Sequence, residues 1–547
     1  DLLAVGGKLV FDRRPGHKQV GAIAGLLEAL KSPRPRVELF LGWVSRGQPD
    51  RRESLTTVRQ RPMWKWFPAF NDRGRMTDWV VWMWHGSFYH TKSAHGDRLV
   101  GWHVNHPEPG GRPEFYQLQQ FEKIFHRLDA IEKIVASRDV GAAITAVRGN
   151  NPLPISFSDY EPAPVFLGLG KSVVAEQGLP ITVSAKPRGN PDLLPERVEL
   201  WLNDHRLESW PRPGEKSLDT KQPFEAKLRI DPAKFRSGEN QLAVLTFNSA
   251  GGRAEAARSV TNPALPRDPN LVGLSVGIND YSNTRKQAEG ARSFGDLESA
   301  DRDARDISER FLEYRGPGKF FPAGGIDLRL DEQASRKQLL GSLRSFAATA
   351  KPDDLLVVFF AGHGDLLLPG LKGGTIPDAI KPADGGRGIA AGGGLFVFCC
   401  PEYSIRNPTA TAITAEELFD GLAKVNCRKV VLLDACHSGQ ASEANLLRRA
   451  APNGQGPFII ASCDQSELAY EHPKLKHGLF TYAVLDSLGD GFRKADLDSD
   501  GILTAEELFD YTSVQVPSLV RQLNLKGKSQ HPICFPRQPP KFPVVRK

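Results

Sequence analysis

Apolar and polar positions are patterned differently in three successive stretches of the chain. From about residue 270 onward, short and nearly continuous apolar runs at 271–276, 355–360, 395–398, 430–433 and 458–461 predict strands buried on both faces. Between them Ala300, Ala304, Ile307 and Phe311 recur at helical spacing. Leu339, Leu343 and Phe346 follow Ser335 and Gln338, whose spacing predicts a capping box. Strands alternating with helices predict an α/β domain with a mainly parallel sheet flanked by helices, over about 268–530.

Residues 155–265 read differently. Segments 198–202, 224–230 and 241–247 alternate apolar and polar residues, and Asn, Gly and Pro turns separate them. This predicts a β-sandwich, and the stretch resembles an immunoglobulin-like domain without a disulfide. Residues 263–269, with three prolines, read as a linker.

Residues 1–150 predict a β-rich region. Segments 79–84 and 86–89 read as a hairpin and 99–104 as a further strand. Phe115, Leu118, Phe121, Phe125, Leu128 and Ile131 predict an amphipathic helix over 115–136. The region resembles the end of a β-propeller-like module. Its tryptophans are expected to pack in a core.

A chain of 547 residues has room for this multidomain layout. Its net charge of +7 is not gathered into a basic arm or tail, so a nucleic-acid partner is not expected. No run of about 18 apolar residues predicts a membrane span. The start, Asp1-Leu2-Leu3, lacks the layout of a signal peptide and an initiator Met, as expected where upstream sequence is missing. All six cysteines fall after residue 398 and none forms a Cys-x-x-Cys pair. That spacing predicts neither a zinc ribbon nor a disulfide framework, and a reducing, cytoplasmic setting is the simplest reading.

Two predicted strands run into reactive residues. One ends in Ala361-Gly362-His363-Gly364-Asp365, the other in Asp434-Ala435-Cys436-His437-Ser438-Gly439. In open α/β sheets, sites collect beyond the carboxyl ends of the strands. A thiolate beside an imidazole is the chemistry of a cysteine peptidase, so Cys436 and His363 are the expected nucleophile and base. His437 adjoins Cys436, but neighbouring residues rarely point the same way. Backbone N–H groups of Cys436 and Gly364 are the expected oxyanion donors. Cys399, Cys400, Cys427 and Cys463 are expected to be buried apolar residues.

These two motifs resemble the caspase-like clan, in particular its metacaspase and bacterial caspase-homologue branch. Gly277-Ile278-Asn279-Asp280-Tyr281, Ala300-Asp301-Arg302-Asp303-Ala304, Ile460-Ala461-Ser462-Cys463-Asp464-Gln465 and Gly478-Leu479-Phe480-Thr481 agree with it in order. The resemblance implies a caspase-haemoglobinase fold and proteolysis by Cys436 and His363. It places Asp434 and Asp303 in a P1 pocket for Arg or Lys, with Asp464 as a third candidate. An acid there pairs with a cationic side chain. It also makes a bacterial signalling, cell-death or antiviral-defence cascade the expected setting, with protein substrates and an activating protease or regulatory protein as partners. The alternatives are a non-catalytic adaptor with a caspase fold and a caspase-like enzyme that cuts after Asp.

Two further features stand apart from the dyad. Asp496, Asp498, Asp500, Ile502 and Glu507 fall at EF-hand ligand positions, which makes calcium a candidate ligand, although Thr504 and Glu507 also spell a capping box. No other cofactor is expected. Residues 365–394 and 437–457 are loop-like, and Arg448 and Arg449 are candidate processing sites.

Overall fold

The computed structural model describes residues 2–5, 8–11, 64–70, 76–83, 88–91, 100–104, 114–121, 125–137, 165–185, 195–248, 253–282, 294–367, 395–435, 457–463 and 467–547, apart from a few positions inside these stretches. Two compact units result, one over Asp1–Glu161 and one over Pro162–Ile389 and Gly393–Lys547.

In the first unit, strands Trp64–Phe70, Met76–Met83 and Tyr89–Thr91 form an antiparallel sheet in that order. The hairpin predicted over 79–84 and 86–89 overlaps its last two strands, the second of which starts only at Tyr89; the strand Trp64–Phe70 was not anticipated. The helix expected over 115–136 forms only as Leu128–Ser137. Ahead of it, Glu114–Gln117 is a strand paired with Gly101–Val104, and Leu118–Phe121 is a short 3-10 turn. Leu118, Phe121 and Phe125 are nonetheless buried. Their spacing served a core, and strand pairing claimed the backbone that a helix would have used.

The second unit opens with two antiparallel sheets. One has the order His205–Trp210, Pro195–Leu202, Gly238–Asn248, Arg253–Asn262. The other has the order Phe224–Ile230, Leu179–Ala185, Val165–Leu169. Leu167, Ile181 and Val183 from one face pack with Val198, Leu200, Leu242 and Val244 from the other in a single apolar cluster. The two sheets bury their inner faces on each other, as alternating strands require.

A six-stranded sheet follows, in the order Gly324–Leu330, Leu271–Gly277, Leu355–Ala361, Arg428–Asp434, Phe458–Ala461, Ile533–Phe535. The first five strands are parallel and the last is antiparallel. Val357, Phe359, Val430 and Leu432 pack with Ile307 and Phe311 of helix Ala300–Leu312, Phe480 and Val484 of Leu479–Leu488, and Leu508 and Val516 of Ala505–Gln522. The alternate positions, Val358, Phe360, Val431 and Leu433, are buried too, so both faces are covered. This is why the strands read as continuous apolar runs.

Three details differ from expectation. Leu395–Cys399 lies in a separate antiparallel sheet, between Gly364–Leu367 and Ala412–Thr414. The parallel sheet also runs past residue 530, through Ile533–Phe535. Ser335 precedes helix Arg336–Thr349, but its hydroxyl bonds Gln338 Oε1 at 2.7 Å and no backbone N–H, so that capping box is not made. Complete boxes form instead at Thr414 with Glu417 and at Thr504 with Glu507.

The sandwich is fastened to the start of the parallel strands. Asp204 pairs with Arg236 and, at 3.0 Å, with the fully buried Lys429; Arg206 pairs with Asp420. Burial alone would raise the Asp204 carboxyl, but the two cations hold it below its usual range. His205 is pushed down to about 4 by burial and by Lys429, so it is neutral, and its Nδ1 lies 3.0 Å from the Ala423 carbonyl. Ser237 binds Asp353 just before strand Leu355–Ala361. Among the described residues no helix is long and apolar enough to cross a membrane.

Candidate active site

The strands Leu355–Ala361 and Arg428–Asp434 are direct neighbours, with Ala361 opposite Asp434. Beyond Ala361 the chain turns, and Gly362 N–H donates to the Asp434 carbonyl at 3.3 Å. His363 follows, half-buried at the sheet's carboxyl edge. Its ring lies between Tyr281 and Phe294, with centroids 4.6 and 4.8 Å away. The Tyr281 hydroxyl accepts from His363 N–H at 2.9 Å and donates to the Cys399 carbonyl at 3.2 Å. His363 Nε2 lies 2.8 Å from the Gly295 carbonyl. A carbonyl only accepts, so Nε2 carries the ring proton and Nδ1 carries the lone pair. Burial lowers the His363 pKa, against weaker opposing effects of Gly295 and Asp296. The ring is thus neutral at pH 7, as a base must be.

Cys436 lies outside the described residues, as do His437, Asp464, Arg448 and Arg449. The last described positions before it, Asp434 and Ala435, stand beside Ala361 and Gly362. Gly364 opens the strand Gly364–Leu367, opposite Phe398. The other five cysteines are buried. Burial raises the thiols of Cys399 and Cys400 well above the usual value and that of Cys427 to about 12, so these three are poor nucleophiles.

The fold brings Asp303 and Asp434 together. Asp303 is on the first turn of helix Ala300–Leu312; Asp434 ends its strand. Both are buried, at 2% and 8% exposure. Thr481 donates to Asp434 Oδ2 through its hydroxyl at 2.7 Å and its N–H at 3.3 Å. Gly478 N–H donates to Asp303 Oδ2 at 3.1 Å. A Cβ on Gly478 would lie 2.6 Å from Asp434 Oδ2 and 3.3 Å from Asp303 Oδ2. The two oxygens are therefore within about 6 Å of each other, a range in which like charges raise each other's pKa. Burial first, and the Asp303 charge second, push the Asp434 carboxyl up to about 7. Asp303 is also raised by burial, against hydrogen bonds from His477 and Gly478. The sequence did not single out His477, Gly295 or Phe294. The first is bound to the acid pair from 174 residues away, and the other two hold His363 from a loop that carries no motif.

Asp496, Asp498 and Asp500 bring carboxylate oxygens within 4.8 Å of one another. Glu507 is occupied otherwise. One oxygen accepts from Leu497 N–H at 2.8 Å and the other from Thr504, so the capping box is formed in full.

A histidine and two buried acids thus lie at the carboxyl edge of the parallel α/β sheet. Residues 272–542 match the family model described as the caspase domain, and the C-terminal half of this chain belongs to that family of caspase-like cysteine peptidases. No curated protein matches the chain. Among solved structures it is similar to protein GSU0716 from Geobacter sulfurreducens, at 16% identity and a TM-score of 0.33, over 51% of this chain and 100% of that one. A putative polysaccharide deacetylase, BA0330 from Bacillus anthracis, follows at 11% and 0.12, over 36% of this chain and 60% of the other. These likenesses are too remote to carry an argument.

Proposed function

We propose that the chain is a cysteine endopeptidase that cuts protein substrates after Arg or Lys. The observation that carries this reading is the joint placement, at neighbouring strand ends, of a neutral histidine and a buried acid pair. His363 Nδ1 takes the proton of the Cys436 thiol, and the thiolate attacks the scissile carbonyl. The oxyanion is received by the N–H groups of Cys436 and Gly364. His363 then returns the proton to the departing amine, and water frees the acyl group. Asp303 and Asp434, with Asp464 as a third acid, receive the P1 cation. The β-sandwich is read as an immunoglobulin-like module. It is fastened at the end of the sheet remote from His363, which fits a supporting role and not a plug over the site. The resemblance to bacterial caspase homologues implies a regulated signalling or defence cascade as its setting. Calcium at Asp496, Asp498, Asp500 and the Ile502 carbonyl would brace the turn before helix Ala505–Gln522; Glu507 would join only by leaving its cap.

The test uses the full chain with peptidyl-Arg and peptidyl-Asp coumarin amides, beside Cys436→Ala and His363→Ala. Release from the Arg substrate by the parent alone supports the reading. Release from the Asp substrate alone would assign acidic specificity, and none from either by a folded parent would leave an adaptor.

A further inference from the structure

His477 lies between two carboxylates of one helix. Its Nδ1 is 2.6 Å from Asp303 Oδ1, and its Nε2 is 3.3 Å from Asp306 Oδ2. A ring protonated on both nitrogens donates to both acids at once; a neutral ring donates to only one. The ring is 13% exposed and Asp306 39%, whereas Asp303 behind them is 2% exposed. His477 also borders an open depression of about 670 Å³ lined by Arg302, Arg305, Asp306 and Lys476. It therefore joins a buried carboxylate to the solvent side of the helix. Among the charged neighbours, Arg305 lies 4.0 Å from Asp301 Oδ2. Arg302 donates to the Lys476 carbonyl, His472 stands opposite His477 in its hairpin, and Glu471 accepts from the N–H groups of Glu298 and Ser299.

Two like charges this close in a buried site do not both ionise readily. Among the described residues, Asp434 has Thr481 alone as donor and no cation paired with it. Asp303 has Gly478 N–H and an imidazole. The asymmetry divides the pair into a carboxylate fixed in place and one left to meet a ligand.

We infer that His477 is a positioning residue of the P1 pocket: it fixes the Asp303 carboxylate in its charged form and orientation, and through it sets the preference for a cationic P1 side chain. This rests on the basic-P1 reading above. His477 touches neither the nucleophile nor the base, so it acts on binding of the charged side chain and not on acyl transfer.

The experiment compares paired substrates that differ only at P1, arginine against its neutral isostere citrulline, on the full chain. In the parent the Arg/citrulline ratio of kcat/KM is expected to be large. His477→Ala is expected to lower that ratio at least about tenfold, the loss of one hydrogen bond to a charged group, chiefly through KM for the Arg substrate. His477→Gln, which can still donate to Asp303, should recover part of the ratio. Asp306→Asn should shift it only a few fold. An unchanged ratio in a folded His477→Ala, with Tm within a few degrees of the parent, would overturn the inference and leave the P1 reading intact. A drop in kcat that is equal for both substrates would also overturn it. A parent that does not discriminate between arginine and citrulline would overturn the P1 reading, and the role of His477 with it.

Discussion

Asp434 should weaken the fold it belongs to. Its carboxyl is moved from the usual 3.8 to about 7 by burial and by Asp303. The unfolded chain releases this proton near pH 4, the folded chain near pH 7. Between those values the folded state binds more protons, so stability falls as pH rises. The contribution is fully present below about pH 4 and lost through pH 7. Each tenfold change in proton affinity is ~1.4 kcal/mol, so the loss approaches ~4 kcal/mol at pH 8. Asp434→Asn removes the ionisation, and its amide oxygen can remain under the two Thr481 donors. The variant should match the parent below about pH 4 and exceed it at pH 8, by up to several degrees in Tm, while losing activity on Arg substrates. In the parent, kcat/KM for such substrates should rise with pH around 7. Differential scanning fluorimetry from about pH 3.5 to 8 reads the stability. An Asp434→Asn protein less stable than the parent at pH 8, or with the same pH slope, would refute the reasoning.

Other outcomes follow from the same structure. Gly478→Ala would put a methyl 2.6 Å from Asp434 Oδ2; it should cost about 1–3 kcal/mol and abolish turnover of Arg substrates, checked by denaturation and assay. Asp204→Asn leaves Lys429 buried without its anion, and should destabilise by about 3 kcal/mol in urea unfolding. Calorimetric titration of a chelator-treated sample should show calcium binding that Asp500→Ala removes; no heat up to about millimolar calcium would end that assignment. Incubated parent protein should yield fragments ending at Arg448 or Arg449, and Cys436→Ala should not, as read by intact-mass spectrometry.

The parallel sheet was legible because strands buried on both faces leave continuous apolar runs. The same signal misplaced Leu395–Cys399, since an apolar run does not say which sheet it enters. Asp303 and Asp434 were legible from motifs around a strand end and a helix start. The resemblance set them in one pocket, but the place of Gly478 and His477 beside them was not legible, because the hairpin Glu471–His472 with His477–Gly478 forms only in three dimensions. Tyr281 stood in a quoted motif, yet its hydroxyl's grip on His363 depends on a neighbouring strand's turn. The helix start at Phe115 failed because periodicity reports burial and leaves open which backbone hydrogen bonds accompany it.

The join built on Lys429 and Asp204 gives the sheet a fixed end and a working end. Replacements among the tip loops can retune what is cut without touching the buried charges below. Changes at the join act on how long the molecule lasts and not on what it selects. Surveys of variants should then sort along the strand axis, with altered preference at one pole and altered lifetime at the other.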